Sequence, residues 1–388
     1  MLLSISVYLI LAFSLYMLAT QIIMEERYAL KITKRNIPFL NLPTTISILL
    51  FALICGVRYN VGVDNLSYIQ QYTNLQRLGH FARGDFEALF GWTANIFTSL
   101  GFHFSIFMGF WAGIQLFFIY YSMRYNKYLL PFIALFIVLG PTFLTWTNIL
   151  RQTVVICIFT FLIEYIVTRK LWKYVAGILI CSCIHKSAII LLPFYFIFQK
   201  PLYPKSRLLN ISIVIVCTVV GMTPSWIYMM NGLKDILAFV DYEDYANQLE
   251  FITENANQAM AWGPARIGLY VLDLLAIWFY PKIKEKYRLD NRFNIYFCAF
   301  LFGTFFFNLF ANTSHIFLRP IAYFRDFRLI IVPVCLYYLL KERRYILYLS
   351  MSILAYFYTL YASSKAFVGG GPGEKAPEVY KFFFLENP

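Results

Sequence analysis

The few charged residues of this chain fall in short basic clusters separated by long apolar blocks, and this placement constrains the fold more than any other feature. Met1–Met24 and Ile211–Trp226 carry no charged side chain. A helix needs roughly 20 apolar residues to cross a hydrocarbon core of about 30 Å, so blocks of this kind read as membrane crossings. The composition agrees, with 60% hydrophobic and 14% charged residues and a mean hydropathy of +0.63. The expectation is an all-α polytopic membrane protein. An ionisable side chain at mid-bilayer depth costs about 2.5–3.5 kcal/mol on insertion scales, so those kept near a cavity point to function.

Loop charge orders the crossings. Six short segments hold most of the 33 Lys and Arg residues: Arg27 to Arg35, Arg124 with Lys127, Arg169 to Lys173, Lys200 to Arg207, Lys282 to Arg292, and Lys341 to Arg344. Positive-inside bias places all six in the cytoplasm and predicts about twelve crossings. These lie near 1–24, 38–57, 102–123, 129–147, 152–168, 171–184, 187–199, 208–223, 265–280, 293–311, 320–340 and 345–362. Both termini then lie outside, and the first span lacks the basic n-region of a secretory signal, so no cleavage is expected. The apolar segment 86–100 is read as a re-entrant or surface helix on the outer face, since a full crossing would invert every later loop. Outer-face segments are then 58–101 and the acidic 224–264, which has a helical apolar period, together with the glycine-rich tail 363–388. No repeat is evident, and residues 1–388 are treated as one integral membrane domain.

The net charge of +13 then reflects orientation and contact with anionic membrane lipid. Nucleic acid is not an expected partner, because the basic residues are scattered a few at a time between apolar spans. The seven cysteines fall in or beside those spans and read as small buried hydrophobes. Cys181-Ser-Cys183 near His185 lacks two further ligands for a metal site. Phosphate-cradling glycine loops, His-Glu-x-x-His and Gly-x-Ser-x-Gly are absent from the sequence. No metal and no cofactor are expected.

Four outer-face clusters gather polar chemistry. They are Arg58-Tyr59-Asn60-Val61-Gly62-Val63-Asp64 with Tyr68, Asn148-Ile149-Leu150-Arg151-Gln152, His185-Lys186-Ser187, and Arg319 with Tyr323, Arg325, Asp326 and Arg328. Each has a structural alternative. Arg58 and Arg151 could snorkel to headgroups, Asp64 could cap a helix, His185 could be a satisfied helix-end histidine, and Arg325 and Arg328 could pair with Asp326 or Asp273. Their shared side, contrary to positive-inside bias, favours function. The segments flanking His185 give only about 20 Å of helix each, so its turn should lie below the outer surface. Broken backbone at that depth is tolerated where it lines a protein-enclosed or wet cavity. Arg328 lies about 13 Å along its helix from Arg319, so this series also descends. Arginine grips phosphate oxygens in a bidentate way that lysine cannot match. A lipid-linked phosphate or diphosphate is the expected ligand.

The ordered motifs Arg58-x-x-x-Gly62-x-Asp64-x-x-x-Tyr68, Asn148-x-x-Arg151-Gln152, His185-x-Ser187-Ala188 and Arg319 with Tyr323-Phe324 resemble the EpsG family, the Wzy-type polymerases of bacterial surface polysaccharides. The resemblance runs from about residue 50 to 340. It implies a bacterial inner membrane, an undecaprenyl-diphosphate-linked oligosaccharide and, as a protein partner, a chain-length regulator. It also implies transfer of a growing glycan from its carrier onto the next repeat unit at the periplasmic face. On this reading Arg58, Arg151, Arg319, Arg325 and Arg328 neutralise the diphosphate without a metal. His185 or Asp64 takes the acceptor proton, His185 being better placed by its ordinary pKa of about 6.5. Tyr59, Tyr68, Tyr323, Asn148 and Gln152 would contact glycan or diphosphate. Other readings are a different lipid-linked glycosyltransferase or an O-antigen ligase, a lipid-oligosaccharide flippase, and a membrane acyltransferase. The first outer loop lacks the paired acids of metal-using transferases, and the one-sided cations do not suit a flippase.

Overall fold

The structure, a computed structural model, describes residues 2–32, 37–62, 64–80, 86–200, 203, 206–223, 263–310, 315–358 and 380–385. These residues form α1 (Leu2–Ile32), α2 (Leu42–Gly56), α3 (Asn65–Leu78), α4 (Ala88–Ser99), α5 (Phe104–Ser122), α6 (Leu130–Leu139), α7 (Thr142–Asn148), α8 (Leu150–Val167), α9 (Leu171–Ser182), α10 (Phe194–Ile197), α11 (Arg207–Met222), α12 (Pro264–Tyr287), α13 (Asn291–Leu309), α14 (His315–Arg325), α15 (Arg328–Lys341) and α16 (Tyr345–Tyr356). Extended pairing among the described residues is limited to an isolated antiparallel bridge between Arg58 and Phe382.

The all-α membrane class is realised, but among the described residues the count of about twelve crossings is not reached. Four described helices are long and apolar enough to cross a membrane: Leu3–Lys31, Phe104–Ser122, Leu150–Val167 and Asn291–Leu309. Lys127–Leu139 with Thr142–Asn148, bent by 63°, makes a fifth if taken as one span. Five further apolar helices are shorter, among them Leu42–Gly56, Leu171–Ser182 and Arg207–Met222. Local chemistry explains the breaks. Gly140 leaves α6 in an extended conformation, and Pro141, which cannot donate a backbone hydrogen bond, starts α7. The expected helix 187–199 is instead a 3-10 turn, Lys186–Leu191, followed by the short α10.

Segment 86–100 is helical as α4, but at 12 residues it reaches only about 18 Å and cannot span a bilayer. The helix expected within 224–264 lies outside the described residues, as does most of the tail beyond residue 363.

Helix contacts divide the chain into two compact units, residues 1–199 with 332–388, and residues 200–331. In the first unit α2 crosses α5 at very short range. A Cβ on Gly56 would lie 2.3 Å from the Ser105 carbonyl oxygen, and one on Gly109 would lie 2.8 Å from that of Ala52. Small residues let helices approach where lipid gives no hydrophobic drive to associate. Beside this crossing Phe51 packs edge-on against Phe143 and Trp146, and Tyr8 of α1 packs on Phe143. In the second unit a Cβ on Gly303 would sit 2.2 Å from the backbone nitrogen of Arg325, so α14 lies directly on α13.

Candidate functional site

His185 stands where helical structure stops. After α9 the chain turns through Cys183, and His185 is extended at φ −152° and ψ 114° before the 3-10 turn begins. The same turn anchors the start of α4, because Leu89 N–H donates to the Cys183 carbonyl at 2.8 Å. That bond brings Glu87, at the N-cap position of α4, against the histidine. Glu87 Oε1 accepts from His185 Nδ1 at 3.1 Å and from the Lys186 N–H at 3.3 Å. The other carboxylate oxygen accepts from Arg151 Nη1.

Arg151 reaches Glu87 because the chain breaks at Ile149 (φ −92°, ψ 58°) between α7 and α8, which puts Arg151 in the first turn of α8. Its guanidinium lies over the rings of Phe86 at 5.1 Å, Tyr68 at 5.8 Å and Phe90 at 5.8 Å. Tyr68 in turn stacks on Phe86 at 6.2 Å. The carboxylate is the deepest member, with side-chain exposure of 9% against 23% for His185 and 26% for Arg151. Burial by itself would raise the Glu87 carboxyl, but the hydrogen bond from His185 and the charge of Arg151 outweigh it and hold the group at about 2. An ionised carboxylate can only accept a hydrogen bond, so Nδ1–H is the donor to Glu87, and in that tautomer Nε2 is the ring nitrogen that can accept.

The first and second motifs meet beside this cluster. Asn148 Oδ1 accepts from the Asp64 backbone N–H at 2.8 Å. Gly62 is required twice, since its φ is +90° and a Cβ there would lie 3.3 Å from that same Oδ1. Asp64 occupies the N-cap position of α3 but makes no side-chain capping bond, so the capping role open to it is not used. Gln152 is buried on α8.

Arg58 is placed differently from an open-cavity arginine. It is only 2% exposed, and its Nε and Nη1 are buried without a hydrogen-bond partner. It lies within electrostatic reach of Tyr8, Cys55, Tyr68 and Tyr380. A C-terminal strap, residues 380–385, covers it. The Tyr59 N–H donates to the Lys381 carbonyl at 2.9 Å, and the Phe383 N–H to the Val57 carbonyl at 3.0 Å.

The fourth motif belongs to the second unit. Arg319 is exposed and Tyr323 fully buried, while Arg325 sits 3.6 Å from the centroid of the Phe307 ring. Arg328 departs from its expected diphosphate role. Its Nε donates to Asp273 Oδ1 at 2.6 Å and its Nη2 to Oδ2, with both residues buried. The fork that would grip a phosphate is taken by Asp273, the structural pairing that was its alternative. Within the first unit the structure therefore gathers His185, Arg151 and Tyr68, sets Asn148 and Asp64 beside them, and adds Glu87. Sequence reasoning did not single out Glu87. Its signal was there, a lone carboxylate opening the otherwise uncharged stretch Phe86–Leu100.

A family model, that of the EpsG family, matches residues 41–369. The chain belongs to the EpsG family. This is a family of polysaccharide polymerase-like membrane proteins, which supports, at a coarse level, a glycosyltransferase-like polymerase acting in polysaccharide biosynthesis. No curated protein and no solved structure matches the chain. The EpsG match spans the whole Glu87 cluster and the motif of the second unit, while the strap 380–385 lies beyond it.

Proposed function

We propose that this EpsG-family protein polymerises a bacterial surface polysaccharide at the outer face of the inner membrane. It passes a growing glycan from its undecaprenyl diphosphate carrier onto the non-reducing end of the next lipid-linked repeat unit. The observation that carries this reading is the chain of contacts Arg151–Glu87–His185. Glycosyl transfer from a diphosphate needs two things of the protein, removal of the acceptor hydroxyl proton and stabilisation of the charge left on the carrier. His185 supplies the first, because Glu87 holds Nδ1 protonated and turns Nε2 toward the acceptor as general base. Arg151 keeps Glu87 ionised and is a positioning residue before it is a phosphate ligand. Arg58, Arg319 and Arg325 supply the second through cationic stabilisation of the leaving diphosphate. Tyr59 and Tyr68 contact the glycan, whereas full burial leaves Tyr323 a packing role. Asp64 is the alternative base, and an orientation with both termini outside belongs to the same reading.

The test is polymerisation by purified protein supplied with a lipid-linked repeat unit. His185→Ala and His185→Gln should both lose activity on the order of 10²–10⁴-fold, since an amide can hydrogen-bond a hydroxyl but not take its proton. Near-parental activity of His185→Gln together with a dead Asp64→Asn would transfer the base to the carboxylate. Activity should survive EDTA, and loss restored by magnesium or manganese would overturn the metal-free mechanism. Cells lacking the protein should accumulate single repeat units on the carrier, read by mass analysis.

A further inference from the structure

The second inference rests on this reading and concerns Arg58. A guanidinium out of water is costly unless paired and hydrogen-bonded, yet two of its three nitrogens are buried without a partner. Asn65 repeats the pattern. It is fully buried, and both its Nδ2 and Oδ1 lack partners. Asn65 sits one turn before Tyr68 on the same face of α3, the face that carries Tyr68 within electrostatic reach of Arg58. A buried cation and a buried amide with unspent hydrogen-bonding capacity make a seat for an anionic oxygen ligand.

What closes this seat is the strap, and the strap does not neutralise it. Tyr380, Lys381, Phe382, Phe383, Phe384 and Leu385 include no carboxylate and add a further cation. The strap is held by means that favour a reversible contact. Tyr380 is its anchor, with its N–H on Ser4 Oγ at 2.8 Å and its hydroxyl on the Ile54 carbonyl. Phe383 packs on His103 at 4.6 Å and Phe104 at 5.5 Å. Tyr8 packs edge-on against Tyr380 at 6.1 Å, two backbone bonds reach Val57 and Tyr59, and a backbone pairing so short has little stability of its own.

We infer that Arg58 and Asn65 form an anion seat for a phosphate oxygen of the carrier, and that the C-terminal strap is its gate. The strap excludes the anion while seated and lifts to admit it. The closed state desolvates Arg58 without compensating its charge, so an anion that pairs with Arg58 stabilises the open state selectively. That differential affinity is what a ligand needs to shift such an equilibrium.

The test locks the strap in the full-length protein. Arg58 faces Phe382 across the bridge, so the neighbouring positions 57 and 383 also face each other, and the pair Val57→Cys with Phe383→Cys can be joined by a disulfide. The probes are phenylglyoxal modification of Arg58, read by peptide mass, and inorganic pyrophosphate as the anion. In the reduced protein Arg58 should be modified and pyrophosphate should protect it. In the oxidised protein modification should slow at least tenfold and polymer formation should stop, both restored by reductant. The single variant Phe383→Ala, which only weakens the strap, should modify faster than the parent and serves if the cysteine pair folds poorly. Equal modification in the locked and unlocked states, absence of protection by pyrophosphate, or full polymerisation by the locked protein would overturn the gate. Gated, pyrophosphate-protected modification in a protein that polymerises in neither state would instead sink the polymerase reading and leave the seat and its gate standing.

Discussion

Glu87 decides what its neighbours can do, and its own titration makes that testable. Its carboxyl is held at about 2 against an ordinary 4.5, so the folded state prefers the ionised form. The stabilisation it brings is fully present above about pH 4.5 and is lost as pH falls through that range toward 2. Melting of the parent and of Glu87→Gln in detergent across pH 2–6 should show the parent ahead near pH 6, with the gap closing toward pH 2. A gap independent of pH would mean that packing alone accounts for the residue. Arg151→Lys tests the partner. A lysine keeps the charge but loses the planar face laid over Phe86, Tyr68 and Phe90 and the directed N–H. Polymerisation should fall at least tenfold while the protein still inserts, and full activity would reduce Arg151 to a snorkelling charge.

Among the elements, the contact of α2 with α5 sets up its own control. Gly109 and Gly113 are one turn apart on α5. A Cβ at 109 would lie 2.8 Å from a backbone carbonyl oxygen, whereas one at 113 would meet side-chain methyls no closer than 3.5 Å. Gly109→Ala should destabilise the protein by about 1–3 kcal/mol, the usual cost of overpacking. Gly113→Ala should be close to neutral and is helped by alanine's better helix propensity. Thermal melts of the two variants in one detergent make the comparison, and equal melting temperatures would show that the close approach at Gly109 adds no cost of its own. The reason to care is positional, since Val57 and Arg58 follow directly from the C-terminal end of α2.

At the scale of the whole molecule the open prediction is orientation. The N-terminus, His185 and the C-terminal strap should be outside, with Arg124 and Lys284 inside. Both internal markers already have partners that suit a headgroup boundary. Arg124 pairs with Glu164 and lies 4.2 Å from the Tyr121 ring centroid, and Lys284 donates to the Tyr203 hydroxyl at 3.0 Å. Cysteines placed one at a time in a cysteine-free background should react with an impermeant thiol reagent at position 185 and not at position 284. Reaction at 284 from the outer side would reverse the topology.

The sequence by itself determined the membrane class, because uninterrupted apolar length is a one-dimensional property that lipid reads directly. It also picked out His185, Arg151 and Tyr68, whose neighbours in space lie on other segments but whose residue types are costly or conspicuous beside a membrane. It could not pair them. Glu87 meets His185 and Arg151 across separations of 98 and 64 residues, and only the bond from Leu89 to the Cys183 turn brings that carboxylate into place. Nor could spacing settle Arg328, since facing either a substrate or Asp273 leaves the same pattern along the chain. The number of helices long enough to cross was likewise decided in three dimensions, where Gly140-Pro141 broke the run 129–147 that hydropathy alone reads as continuous. Arg58 shows the difference most plainly. Its charge was visible from the first reading, but its backbone pairs with Phe382, more than 300 positions away, and that contact exists only once the chain has folded.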